Sequence, residues 1–214
     1  MQKISSPIVI RVIQAILGLE ILSGIFTQTW SAVFVAVATL VLTFLPERFA
    51  GFFGIRLPRS ILTAIVVFIF ATLFLGEVGD FYEKFWWWDV GLHFMSALSF
   101  GAVGFLLIFM LFEGDRYAAP PWALAVLAFC VALSIGTLWE VFEFSMDQLF
   151  GMNMQKSGLV DTMKDLIIDA IGAAIGAFSG YLYLMGRQFG GLGRVLEQFI
   201  EANKRWYSKL RKRG

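Results

Sequence analysis

The sequence predicts an all-α polytopic membrane protein, a helical bundle of about six transmembrane helices with both termini in the cytoplasm. Three observations predict it. Of the 214 residues, 58% are hydrophobic and 15% charged, with a mean hydropathy of +0.75, whereas a soluble domain of this length is nearer half apolar and a quarter charged. Six apolar runs of membrane-crossing character recur along the chain, and lysine and arginine gather in alternate connections between them.

The runs are Pro7–Phe26, Trp30–Leu45, Ile61–Leu75, Trp88–Phe112, Pro121–Phe150 and Leu159–Met185, where a ~30 Å hydrocarbon core requires about 20 helical residues. The first begins behind Lys3, continues past signal-peptide length and has no small-x-small cleavage pattern, so it reads as a retained span. The second and third are short. Pro46, Pro58, Pro120 and Pro121 punctuate the loops at the ends of runs, as helix-breaking residues should. Phe (23), Gly (21) and Trp (7) are used heavily, which suits spans that pack through small residues and end in aromatic belts. Trp86, Trp87 and Trp88 would form such a belt, and Gly172, Gly176 and Gly180 a close packing face. Cys130 lies alone in an apolar run, so an intramolecular disulfide is impossible and a buried, inert thiol is expected.

Fourteen of the seventeen basic residues, including Lys204, Arg205, Lys209, Arg211, Lys212 and Arg213, fall on one side of this pattern. Lys84, Lys156 and Lys164 fall on the other. The positive-inside rule then places both termini in the cytoplasm. A net charge of +1 leaves no global basic field for nucleic acid. The organisation expected is a transmembrane domain over residues 1–190 and a basic tail over 191–214. In that tail Leu192, Val195, Leu196, Phe199, Ile200, Asn203, Trp206, Tyr207 and Leu210 follow helical spacing. It suits an amphipathic helix lying on the anionic leaflet, with packing against the protein's own cytoplasmic loops as the alternative.

The chemistry lies in the acids. Eleven of the sixteen fall in outer loops or outer halves of spans, where basic partners are few. An ionisable group at the centre of a membrane helix costs about 2.5–3.5 kcal/mol or more unless paired, hydrated or metal-bound. Asp89 and His93, the one histidine, are i and i+4 on one helix face. Glu140, Glu143 and Asp147 share a face of the next span, and Asp161, Asp165 and Asp169 a face of the last. At 1.5 Å per residue the stripes fall into three layers. Asp89, Asp147 and Asp161 lie at the rim, and His93, Glu143 and Asp165 below them, with Glu20 at similar depth. Glu140 and Asp169 lie deepest.

One imidazole among carboxylates suits Zn²⁺, Mn²⁺ or Fe²⁺, and carboxylates alone suit Mg²⁺ or Ca²⁺. The expected ligands are His93, Glu143 and Asp165. Glu140 and Asp169 would be deeper ligands or general bases, and Asp89 would orient His93. The paired Glu-x-x-His motifs of di-iron bundles and the zincin His-Glu-x-x-His are absent. Ser96, one turn after His93, invites a nucleophile reading that a single helix face cannot easily satisfy. A metal or catalytic centre, a proton or ion path and a buried network holding the bundle all remain open.

At Ile55-Arg56-Leu57-Pro58, Leu75-Gly76-Glu77, Phe85-Trp86-Trp87-Trp88-Asp89, Leu92-His93, Trp139-Glu140, Gly158-Leu159-Val160-Asp161 and Asp165-Leu166-Ile167-x-Asp169, the chain resembles the YjdF family of uncharacterised bacterial inner-membrane proteins. That resemblance implies a bacterial inner-membrane protein. The chain is also similar, more distantly, to VanZ-like proteins associated with resistance to teicoplanin. Their pattern is Asp-Lys-x-x-His, Glu-x-x-Gln and Asp-x-x-x-Asn-x-x-Gly-x-x-x-Gly. This chain departs from it at Val90, Glu143 and Asp169, which makes its site more acidic. The function expected is a metal-dependent enzyme on a lipid or lipid-linked envelope substrate. A proton- or cation-coupled carrier and a non-catalytic membrane module are the alternatives.

Overall fold

A computed structural model describes residues 8–115, 119–187 and 190–208, all-helical, with no strand among them. In chain order the helices are α1 (Ile8–Thr27), α2 (Trp30–Leu42), α3 (Leu45–Phe52), α4 (Arg59–Ile69), α5 (Phe81–Lys84), α6 (Trp88–Leu111), α7 (Pro121–Phe150), α8 (Leu159–Leu184) and α9 (Gly190–Ala202). Six helical stretches are long and apolar enough to cross a membrane: α1, Trp30–Phe52, Arg59–Val78, α6, α7 and α8.

Two of the six outrun their sequence-based limits. The second continues beyond a break at Thr43–Phe44, because Pro46 occupies the first turn of α3, where a missing N–H costs nothing. The third continues as a π-helical segment, Phe70–Val78. Its wider turn ends with the Gly79 amide donating to Phe74 O at 2.9 Å, five residues back.

The chain divides into two compact units, Met1–Trp88 and Asp89–Gly214. The first is held by Ile10, Ile13, Leu17, Ala36, Leu62, Val66 and Phe74. Gln14 Nε2 donates to Thr43 Oγ1 at 3.0 Å, satisfying two polar groups inside an apolar unit. Glu20 belongs to this unit. In the second unit, Ala97, Ala132 and Ala173 bring three spans together through small side chains.

The tail also packs within the second unit. Leu196, Phe199 and Ile200 of α9 are buried, as is Tyr207 in the 3₁₀ turn Lys204–Tyr207. The Tyr207 hydroxyl donates to Leu106 O at 3.0 Å, and its ring lies 5.6 Å from that of Phe109. Much of the apolar face expected to enter the leaflet is thus buried within the protein itself, α9 packing against α8 and Tyr207 against Phe109 of α6. Trp206 remains partly exposed, and Leu210 lies outside the described residues. Cys130 is exposed rather than buried, since it faces away from the side of α7 that carries buried Ala128 and Ala132.

Candidate metal centre

The site is positioned by backbone. A Cβ on Gly101 of α6 would lie 2.6 Å from Ala173 O, and one on Gly172 of α8 would lie 2.7 Å from Phe94 O; one on Gly176 would strike Leu98 O. These helices therefore touch main chain to main chain, the close approach that small residues permit between membrane helices. His93 immediately precedes Phe94 at this contact. Asp169 lies one turn before Gly172, and Asp165 one turn before Asp169.

Asp89, His93 and Asp165 each place a ligand atom within 4.8 Å of the others. His93 Nε2 lies 4.0 Å from Asp89 Oδ1. The other ring nitrogen, Nδ1, faces deeper carboxylates, Asp169 Oδ1 at 3.3 Å and Glu140 Oε1 at 4.0 Å. His93, Glu140, Asp165 and Asp169 are all buried. Metal bonds of about 2.0–2.2 Å put the donor atoms of one ion roughly 3–4 Å apart, so the trio needs little side-chain movement to share a cation.

The deep acids are short of donors. Both Glu140 oxygens and Asp169 Oδ1 are buried with no hydrogen-bond partner among the described residues, so the close Asp169–His93 contact is not aligned as a hydrogen bond. Such oxygens are costly in a low dielectric unless something positive or protonated faces them. Asp169 reaches α7 because Gly136 has no side chain: a Cβ there would collide with Asp169 Oδ2. Gly136 lies one turn before Glu140, so the two acids meet His93 from neighbouring helices.

Other expected participants are engaged elsewhere. Glu143 Oε1 accepts a hydrogen bond from Trp139 Nε1 at 2.9 Å, and Asp89 takes the place beside His93 and Asp165 that depth alone gave to Glu143. Asp147 binds its own loop: its two oxygens accept the Met154 and Gln155 amides at 2.7 and 2.9 Å. Ser96 Oγ donates to His93 O at 2.9 Å, a backbone carbonyl of its own helix. The signals missed by sequence reading were Gly136, which looks like any small residue in a span, and Trp139, whose indole gives Glu143 a local partner.

Relatives carry no activity to transfer. The chain is similar to an uncharacterised protein of Thermotoga maritima, 31% identical over 121 residues, which are 56% of this chain and 62% of that protein. It thus spans somewhat less than two thirds of that relative. No solved structure matches. The model of the family described as "Predicted membrane protein (DUF2238)" matches residues 8–186, most of the chain, and the chain belongs to that family.

Proposed function

We propose that Asp89, His93 and Asp165 hold a divalent cation, Zn²⁺, Mn²⁺ or Mg²⁺, in the outer half of a bacterial inner membrane, and that the centre serves a metal-dependent enzyme acting on a lipid or lipid-linked envelope substrate. The observation that carries this reading is the convergence of the three ligand atoms, from two helices, within 4.8 Å of one another. When bound, the cation would supply Lewis acidity toward a substrate oxygen. His93 would ligate through Nε2, and a small turn of the ring would align Nδ1–H, 3.3 Å from Asp169 Oδ1, into the carboxylate–histidine arrangement that fixes tautomer and ring orientation. Asp169 thereby takes the orienting role, and Asp89 becomes a ligand. Glu140, without a hydrogen-bond partner among the described residues and 4.0 Å from Nδ1, is the proposed general base. Glu143 supplies a further oxygen once its carboxylate turns from Trp139. The partial likeness to the VanZ pattern, and the gathering of fourteen of seventeen basic residues on the side away from the acids, which by the positive-inside rule would put both termini in the cytoplasm, support a substrate met on the outer side.

A carrier would need its polar path to continue inward. Below Asp169 the α6–α8 contact is Gly101, Ala173 and Gly176 backbone, and the Phe105 ring then lies on Gly180, which argues against a path between these two helices. Plasma emission analysis of chelator-free protein tests the proposal. It should find about one equivalent of divalent metal, absent from His93→Ala and Asp165→Asn variants that still insert. Metal-free wild type whose melting temperature does not respond to added Zn²⁺, Mn²⁺ or Mg²⁺ would overturn it.

A further inference from the structure

The outer part of α7 carries an arrangement that the three converging ligands do not use. On its exposed side, the Trp139 and Phe142 ring centroids lie 5.3 Å apart with planes tilted by 35°, and Trp139 Nε1 donates to Glu143 Oε1 at 2.9 Å. The three residues stand at i, i+3 and i+4, so one helical face holds two aromatic rings and a carboxylate at the edge of one of them. Both rings are half-exposed, and Ile135 and Leu138 continue the exposed surface inward with apolar side chains. Glu143 itself is partly exposed. A carboxylate on such a surface is costly within the membrane unless a positive group meets it, and the indole offers it only a neutral N–H.

The level of this face follows from the packing of α6 and α7. They run antiparallel, since a Cβ on Gly104 would lie 2.9 Å from Ala128 O while, nearer the other end, His93 Nδ1 lies 4.0 Å from Glu140 Oε1. Glu143 stands one turn outward of Glu140, about 4.5 Å along the axis, which brings it level with Val90 in the first turn of α6. That helix opens at Trp88, behind the tryptophan run that would mark the headgroup level.

We propose that Trp139, Phe142 and Glu143 form a cradle on the membrane-facing side of α7 for a lipid whose headgroup carries a primary ammonium. The ammonium donates to the Glu143 carboxylate, a charge-assisted hydrogen bond, and the aromatic faces attract it from within about 6 Å. Its acyl chains then descend over Leu138 and Ile135. A second copy of the chain would bring few cations to this level, because fourteen of the seventeen basic residues gather on the opposite side. Glu143 held by a headgroup is withheld from the cation, so the cradle and the further oxygen proposed above are two positions of one carboxylate. The inference does not depend on the cation reading.

Native mass spectrometry of the full chain in detergent, with one lipid added at a time, tests it. Dioleoyl phosphatidylethanolamine, phosphatidylcholine and phosphatidylglycerol share their acyl chains and differ in the headgroup. The first phosphatidylethanolamine should bind wild type about tenfold more tightly than phosphatidylglycerol, as a charge-assisted hydrogen bond with a cation–π contact would give. Phosphatidylcholine, which has no N–H, should fall near phosphatidylglycerol. Glu143→Gln and Trp139→Leu should each reduce the preference to less than twofold, while Trp122→Leu, which removes an exposed tryptophan at the other end of α7, should keep it. A preference that survives Glu143→Gln, equal binding of the ethanolamine and glycerol lipids by wild type, or phosphatidylcholine matching phosphatidylethanolamine overturns the inference. So does an equal loss in Trp122→Leu, or a lipid-free dimer, which would assign the face to a second copy. Metal content enters none of these readings, so their failure leaves the cation centre standing, and a metal-free wild type leaves the cradle standing.

Discussion

His93 turns one ring nitrogen to Asp89 and the other to Asp169 and Glu140, so its replacement affects both groups of acids at once. Asp165→Asn should lower Mn²⁺ affinity sharply, and Asp169→Asn by about 10- to 100-fold, the usual consequence of losing a carboxylate behind a metal-bound histidine. Titration calorimetry on protein in nanodiscs distinguishes the two. Gly136→Ala probes Asp169 without touching any acid. Its methyl would displace Oδ2, so it should resemble Asp169→Asn in metal affinity; an unchanged affinity would show that Asp169 does not fix His93. Much of this site was legible in the sequence, because i, i+4 spacing puts Asp89 with His93 and Asp165 with Asp169 whatever else the fold does. The choice between Glu140 and Glu143 was not. Residues three apart on a helix share a broad face, and which one turns inward depended on Gly136 opening space and on Trp139 capturing Glu143.

Among the elements, α8 carries both the acids of the cluster and the packing face, with Asp165 and Asp169 toward its N-terminal end and Gly172, Gly176 and Gly180 beyond them. Gly176→Val should cost roughly 1–3 kcal/mol, the range for overpacked sites, and should read as a lower melting temperature. The six spans were legible because apolar length suffices to mark them. The π segment at Phe70–Val78 and the docking of α9 were not, since neither hydropathy nor helical spacing encodes backbone register or the partner of an amphipathic face. Tyr207 anchors that docking. Tyr207→Phe removes a buried hydrogen bond worth about 1 kcal/mol. Burial also raises the phenol above its ordinary value of 10.0, and a raised folded-state value favours the neutral form. Tyr207 therefore contributes its full stability below about pH 10 and loses it as pH climbs beyond that. Wild type should show an alkaline loss of stability that Tyr207→Phe lacks, measurable by thermal melts across that range.

For the molecule as a whole, reporter fusions at Gly51, Gly114 and Gly214 should report cytoplasm, and those at Thr27, Gly79 and Met152 the outside. An external signal at Gly214 would invert the side on which the acids lie. Metal occupancy should fall as pH is lowered, because carboxylates and imidazole bind cations only when deprotonated; metal content after equilibration at graded pH reads this directly. For the proposed cation centre, the contact of α6 and α8 through Gly101, Gly172 and Gly176 has a consequence for which ions would be admitted. Main chain against main chain leaves no compressible side chain between the helices, so the gap from His93 to Asp165 cannot widen easily. Calcium prefers six to eight oxygens at about 2.3–2.6 Å in a yielding cage, whereas magnesium accepts a rigid setting at about 2.0–2.1 Å. The glycine contact would then act as a caliper for ionic radius, and Gly176→Ala, by prising the helices apart, should shift preference from the smaller ion toward the larger.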